Sequence, residues 1–264
     1  MQMISEPRVS PFGCISSNTI KIIACIAMLI DHVGLVIFPT DFGFRMIGRL
    51  AFPLFAFFIA EGCHYTRKRA RRFWLIFTVG MFYLVFFRFM SGIFYANIFL
   101  TFSASVLLIY ALDYFKRCVF LDLGIKACLL SAALFVGLAA LFCFLDKYVP
   151  FDYGFVGISI PLLVSLFDFK DLPVPAALSR LDNYLVRIAM LTVGLIILFL
   201  GYDHVYVYIF SVKVSIYWAY FATPIILLFY NGKIGKRKMK YFFYIYYPVH
   251  LVAVYGVYML IRFL

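Results

Sequence analysis

The sequence predicts an all-α polytopic membrane protein, a bundle of about nine transmembrane helices with a cytoplasmic N-terminus. Three observations carry that expectation. Hydrophobic residues make up 66% of the 264 and charged residues only 14%, far from the composition of a soluble domain. Apolar runs of roughly 17–25 residues, the length a bilayer demands, recur along the chain. The basic residues are shared unevenly among the turns that join those runs. A β-barrel would instead show alternating segments of about ten residues.

The elements follow in order. Residues 1–19 form a polar N-terminal segment rich in Ser and Pro, expected to be loosely ordered. They are not read as a signal peptide: the apolar run lies too far in, meets Asp31-His32 and shows no small-residue cleavage site. Residues 20–264 are expected to form a single transmembrane helical domain. Its spans fall at 20–38, 47–63, 73–90, 97–113, 124–144, 154–169, 185–201, 206–230 and 241–263. Lys126 interrupts the fifth near its start, and the eighth is long enough to hide a break. No long linker, internal repeat or low-complexity tract divides them.

Charge orients this bundle. If nine spans alternate from a cytoplasmic N-terminus, 18 of the 24 Lys and Arg fall on the cytoplasmic side or its flanks, a clear positive-inside bias. The net charge of +12 then reports topology and contact with anionic membrane lipids. "RKRARR" at 67–72 reads as a short turn between spans, and no nucleic acid is expected as partner. The six Cys lie mostly in or beside spans without a C-x-x-C pair. They imply neither a disulfide framework nor a metal site.

Ionisable residues inside spans are costly, about 2.5–3.5 kcal/mol each at the centre, so they usually face a cavity or a partner. In "AMLIDHVGLVIF" Asp31 and His32 stand side by side. A rise of about 1.5 Å per residue puts His32 roughly 18 Å above the cytoplasmic end of its span. His250, in "YIYYPVHLVAVY", comes out roughly 14 Å above the same face. If the first and last spans pack together, both imidazoles line one midplane cavity. Asp31 points about 100° away from His32, so it reads as a support residue more than as a triad acid.

In the second span Arg45 and Arg49 lie four apart, on one helical face. Either an anion sits between them or each has its own acid; a plain structural ion pair of Arg49 with Asp31 or Asp41 is the alternative. Glu61 lies near the opposite end of that span, and Pro53 is placed to kink it. Tyr246 and Tyr247, one turn from His250, offer hydroxyls. His64 and His204 are expected to be solvated. These residues fit an enzyme site, a proton relay of a carrier or, without use of the histidines, an assembly scaffold.

"IKIIACIAMLIDHVGLVIFP", "RMIGRLAFPLFAFFIAEGCHYTR" and "LFYNGKIGKRKMKYFFYIYYPVHLVAVY" resemble the three signature blocks of the TraX family, whose founding member acetylates the N-terminus of conjugative pilin. The blocks cover both ends of the chain, whereas residues 73–220 match in hydropathy and span count alone. More distantly, the chain is similar to the wider transmembrane acyltransferase class. Lys21 and His32 fit the basic residue and His of its first span, and Phe57–Gly62 resembles its "FF-x-x-SG" block with Glu61 in place of Ser. Tyr244–His250 resembles its late "Y-x-Y-L-x-H", and Arg88 is the sole candidate for its third-span Arg motif.

This resemblance implies a multi-pass transferase of the inner membrane that moves an acetyl group from acetyl-CoA to an amine or hydroxyl. The acceptor would be a protein N-terminus, a sugar or another envelope molecule. His32 would be the catalytic base or acyl carrier, with His250 and Asp31 beside it. Arg45, Arg49, Glu61, Tyr246 and Tyr247 would contact substrate. Lys21, Arg67, Lys68, Arg71, Arg72, Lys233, Lys236 and Arg237 would meet the acyl-CoA phosphates.

Overall fold

The computed structural model describes residues 10, 12–91, 96–169, 171–202, 205–235 and 239–263. Among the described residues, seven helical stretches are long and apolar enough to cross a membrane: Ser17–Val36, Phe42–Tyr65, Arg69–Phe89, Ile98–Phe120, Ile125–Leu145, Tyr184–Gly201 and Tyr241–Phe263. The residues group into two compact units, Met1–Phe55 with Phe199–Leu264, and Ala56–Leu198.

In the first unit, α1 (Ser17–Val36) opens on Ser16, whose side chain accepts from the Thr19 N–H as an N-cap. The residues just before it are not loose, as the polar sequence suggested. Cys14 and Ile15 both donate to the Phe229 carbonyl, Ser17 donates to Lys233 and Asn18 to Ile234, while the buried Ser10 donates to Leu228. Gly13 permits this contact, because a Cβ there would lie 2.7 Å from the Asn231 Cα.

The next stretch is broken. Asp41 caps α2 (Phe42–Gly48) through the Gly43 N–H, and α3 (Ala51–Tyr65) begins two residues after Arg49. Pro53 accounts for the break: it lacks the N–H that would bond Arg49, and its ring crowds that carbonyl.

The expected eighth span is not a helix. Residues 206–230 form an antiparallel hairpin of β1 (Tyr206–Ile209) and β2 (Val212–Ser215), with Tyr208 opposite Lys213. A 3-10 helix (Ile216–Phe221) follows. It and β1 pack on α2, and α10 (Ala222–Leu228) continues the chain. The unit ends with α11 (Lys240–Phe263), which packs on α1.

In the second unit, α4 (Arg69–Ser91), α6 (Ile125–Leu145) and α7 (Gly154–Val164) surround α5 (Ile98–Phe120). Ala104 and Leu108 of α5 meet Phe142 and Ile158 in the core. Several polar groups on α5 and at its cap have internal partners, as lipid favours: Ser105 donates to the Ile158 carbonyl at 2.8 Å, and Asn97 to Gly80 at 2.8 Å. Asp146 ties α6 to α7 by accepting from Phe151 and Phe155.

The expected sixth span is another correction. With 11 residues, α7 covers about 16 Å, half of a hydrocarbon core of about 30 Å. The basic turn is also shorter than expected, since Arg69, Arg71 and Arg72 already belong to α4. A short α8 (Ala176–Ser179) precedes α9 (Tyr184–Gly201).

Candidate functional site

Helices α1 and α11 run parallel and climb in step. Lys21 Nζ stands 5.6 Å from the centre of the Phe243 ring, the Tyr246 hydroxyl donates to the Cys25 carbonyl at 2.8 Å, and His250 Nε2 lies 3.3 Å from His32 Nδ1. Helical periodicity selects these residues. Cys25 and His32 are two turns apart on one face of α1, and Tyr246 and His250 one turn apart on α11. The nearness of His32 and His250 agrees with their matched depth in sequence.

Hydrogen bonding assigns the tautomers. His32 Nδ1 is 2.8 Å from the Met28 carbonyl, and His250 Nδ1 is 2.9 Å from the Tyr246 carbonyl. A carbonyl only accepts, so each Nδ1 carries the hydrogen. Neutral His250 therefore presents its Nε2 lone pair to the His32 Nδ1–H, which it shares with Met28. Neutral His32 keeps its lone pair on Nε2, turned away from both acceptors. Tyr246 stacks on His250 with ring centres 4.9 Å apart at 13°. Tyr247 meets His32 and His250 edge-on at 6.5 and 5.6 Å. His250 is buried to 4% exposure, in an apolar wall that fixes its ring.

Asp31 faces away from this pair. Its Oδ2 accepts from Arg45 at 2.9 Å, and a Cβ at Gly48 would overlap its carboxylate. Glycine at 48 thus lets α2 approach α1 closely enough for the ion pair. Arg45 also lies within electrostatic range of His32. Arg49, one turn further, stands 5.5 Å from the centre of the Tyr217 ring. Of the two acids considered in sequence for Arg49, Asp31 bonds Arg45 and lies within electrostatic range of Arg49, and Asp41 serves as a helix cap.

The other candidates are dispersed. Glu61 is buried in the second unit, within electrostatic range of Tyr184. Arg67, Lys68 and Arg71 are exposed there, and Lys233 in the first unit. Arg72 is turned inward, against Gly62, and donates to the Ile59 carbonyl at 3.1 Å. It is therefore not a cation of an open rim. Lys236, Arg237 and His204 lie outside the described residues. No His/Cys/Asp/Glu group among the described residues is arranged to hold a metal.

His64 is not solvated. It is buried to 4% and its Nδ1 bonds Asp168 at 2.7 Å. Lys116 beneath donates to the Ser165 and Asp168 carbonyls at 2.9 and 3.0 Å. Sequence reading also passed over Gly48 and Arg187. An Arg three residues into an apolar helix was available as a signal; Gly48 became meaningful only beside Asp31.

Against known proteins, a family model described as "TraX protein" matches residues 16–258. "Probable fimbrial assembly protein FimC, serogroup H1" of Dichelobacter nodosus is 28% identical over 247 residues, 89% of this chain and 93% of that protein. "Uncharacterized protein RP591" of Rickettsia prowazekii is 49% identical over 41 residues, and this match spans only 16% of each chain. No solved structure matches.

Proposed function

The chain belongs to the TraX family, and on that premise we propose that it is an acyltransferase of the inner membrane. It moves an acetyl group from acetyl-CoA to an amine or hydroxyl; the Dichelobacter relative is named for fimbrial assembly, and the proposed acceptor is the N-terminus of a fimbrial subunit. The observation that carries this reading is the His32–His250 pair, two imidazoles 3.3 Å apart within apolar helices.

In this mechanism His32 Nε2 takes the proton from the acceptor as its nitrogen or oxygen attacks the thioester carbon. The C–S bond then breaks, and the proton passes from His32 to the departing thiolate. Positive charge arising on His32 spreads to its Nδ1–H, which His250 Nε2 and the Met28 carbonyl both stabilise. His250 is thus a positioning residue for His32. Arg45, already neutralised in part by Asp31, and Arg49 give this unit a positive field suited to the tetrahedral oxyanion. The acyl-CoA phosphates would meet exposed cations such as Lys233.

Acceptor choice is tested with purified protein, labelled acetyl-CoA and two versions of one fimbrial-type peptide, one with a free amino terminus and one already blocked. Label entering only the free peptide supports an amine acceptor. Equal label in both, or none in either while acetyl-CoA stays intact, rejects it.

A further inference from the structure

The second unit holds a buried guanidinium that the proposed acyl transfer does not use. Asn183 accepts from the Val186 N–H at 2.9 Å at the start of α9. Tyr184 and Arg187, three residues apart, then share one inward face. They are 4% and 2% exposed, and Arg187 is the largest of the fully buried side chains. Phe57 covers it, with its ring centre 5.2 Å from Cζ.

Among the described residues, neither Nε nor Nη2 of Arg187 has a hydrogen-bond partner. These atoms are adjacent on one edge of the guanidinium, the edge whose parallel N–H groups grip two oxygens side-on. A guanidinium stays charged in proteins, and stranding it in a low-dielectric interior costs more than one cation–π contact returns. Other cations of this unit have partners among the described residues: Arg69 pairs with Asp113, Arg72 donates through Nη2 to Ile59 although its Nε has none, and Lys116 donates to two carbonyls. Glu61 and Arg187 both lie within electrostatic range of Tyr184, yet Glu61 takes neither atom of that edge.

We propose that Arg187, with Tyr184 beside it, forms a phosphate-binding site inside the second unit, the phosphate lying side-on against Nε and Nη2. The site does not depend on acyl transfer at His32. A membrane protein meets phosphate in two forms, a soluble phosphate compound and a phospholipid headgroup, and both present the oxygens this edge requires.

The test uses the full chain in lipid-free maltoside micelles, with thermal unfolding followed against added pyrophosphate and, separately, phosphatidylglycerol. Wild-type protein should show a saturable rise of the midpoint with at least one probe. Pyrophosphate alone identifies a soluble ligand and phosphatidylglycerol alone a headgroup. Arg187→Gln should abolish the rise. Arg187→Lys, which keeps the charge but not the fork, should weaken binding at least tenfold and carries the comparison if Arg187→Gln does not fold. No shift of the wild type with either probe overturns the site, as does an undiminished shift in the variants.

Discussion

At the residue scale, the two histidines divide their roles through atoms they share. His250 Nε2 accepts and His32 Nδ1–H donates, so removing His250 leaves the base in place but frees its orientation. His250→Leu should therefore slow acyl transfer by about 10–100-fold, the usual cost of losing a partner that orients an imidazole, without unfolding the protein. Nitrogen-15 spectra of labelled histidine in the wild type should show both rings protonated at Nδ1; an Nε2–H signal for His32 would contradict the assignment. Gly48 supplies a second prediction. A methyl group there would displace the Asp31 carboxylate and break its bond to Arg45, so Gly48→Ala should destabilise by about 1–3 kcal/mol. Asp31→Ala in the same chain should recover much of that loss, which a double-mutant cycle of thermal stability reads directly.

At the element scale, the hairpin shows why a hydropathy reading fails locally. Tyr206-Val207-Tyr208-Ile209 alternates aromatic and β-branched residues and Val212-Lys213-Val214-Ser215 alternates Val with polar residues, a strand signal that the apolar run around them conceals. The intervening Phe210 and Ser211 carry no turn signature, but both adopt left-handed backbone, with φ of 46° and 66°. Such positions cost about 1–3 kcal/mol each outside glycine and asparagine, and Phe210 is 98% exposed, so no packing offsets the strain. Phe210→Asn with Ser211→Gly should then raise the unfolding temperature by an amount worth about 1 kcal/mol or more; a lowered temperature would show that Phe210 is held by something else. The break at Arg49 was legible through Pro53. The shortness of α7 was not, because its apolar residues run on beyond Val164 while Asp168 is drawn into the His64 pair.

At the scale of the whole molecule, composition was sufficient for a multi-pass helical membrane protein, and among the described residues seven stretches meet the length and apolarity of a span. The His32–His250 proximity was legible because helical rise converts sequence position into depth. Arg187, the Gly48 contact and the His64–Asp168 pair were not, since each depends on which helices become neighbours. The basic residues at 67–72 predict that Lys68 faces the cytoplasm, and the packing of β1 on α2, which follows the far end of α1, predicts the opposite side for the hairpin tip. With exposed Cys14 and Cys143 replaced by Ser, Phe210→Cys should react with an impermeant maleimide on intact cells and Lys68→Cys should not; the reverse pattern inverts the topology. The central claim is acyl transfer by a base at His32, and the most direct measurement follows labelled acetyl-CoA with an amine acceptor in purified wild-type protein and His32→Gln. The account predicts acceptor-dependent transfer by the wild type and a fall of about 10²–10⁴-fold in a variant that remains folded. Equal rates in the two proteins, or no consumption of acetyl-CoA by either, would contradict it.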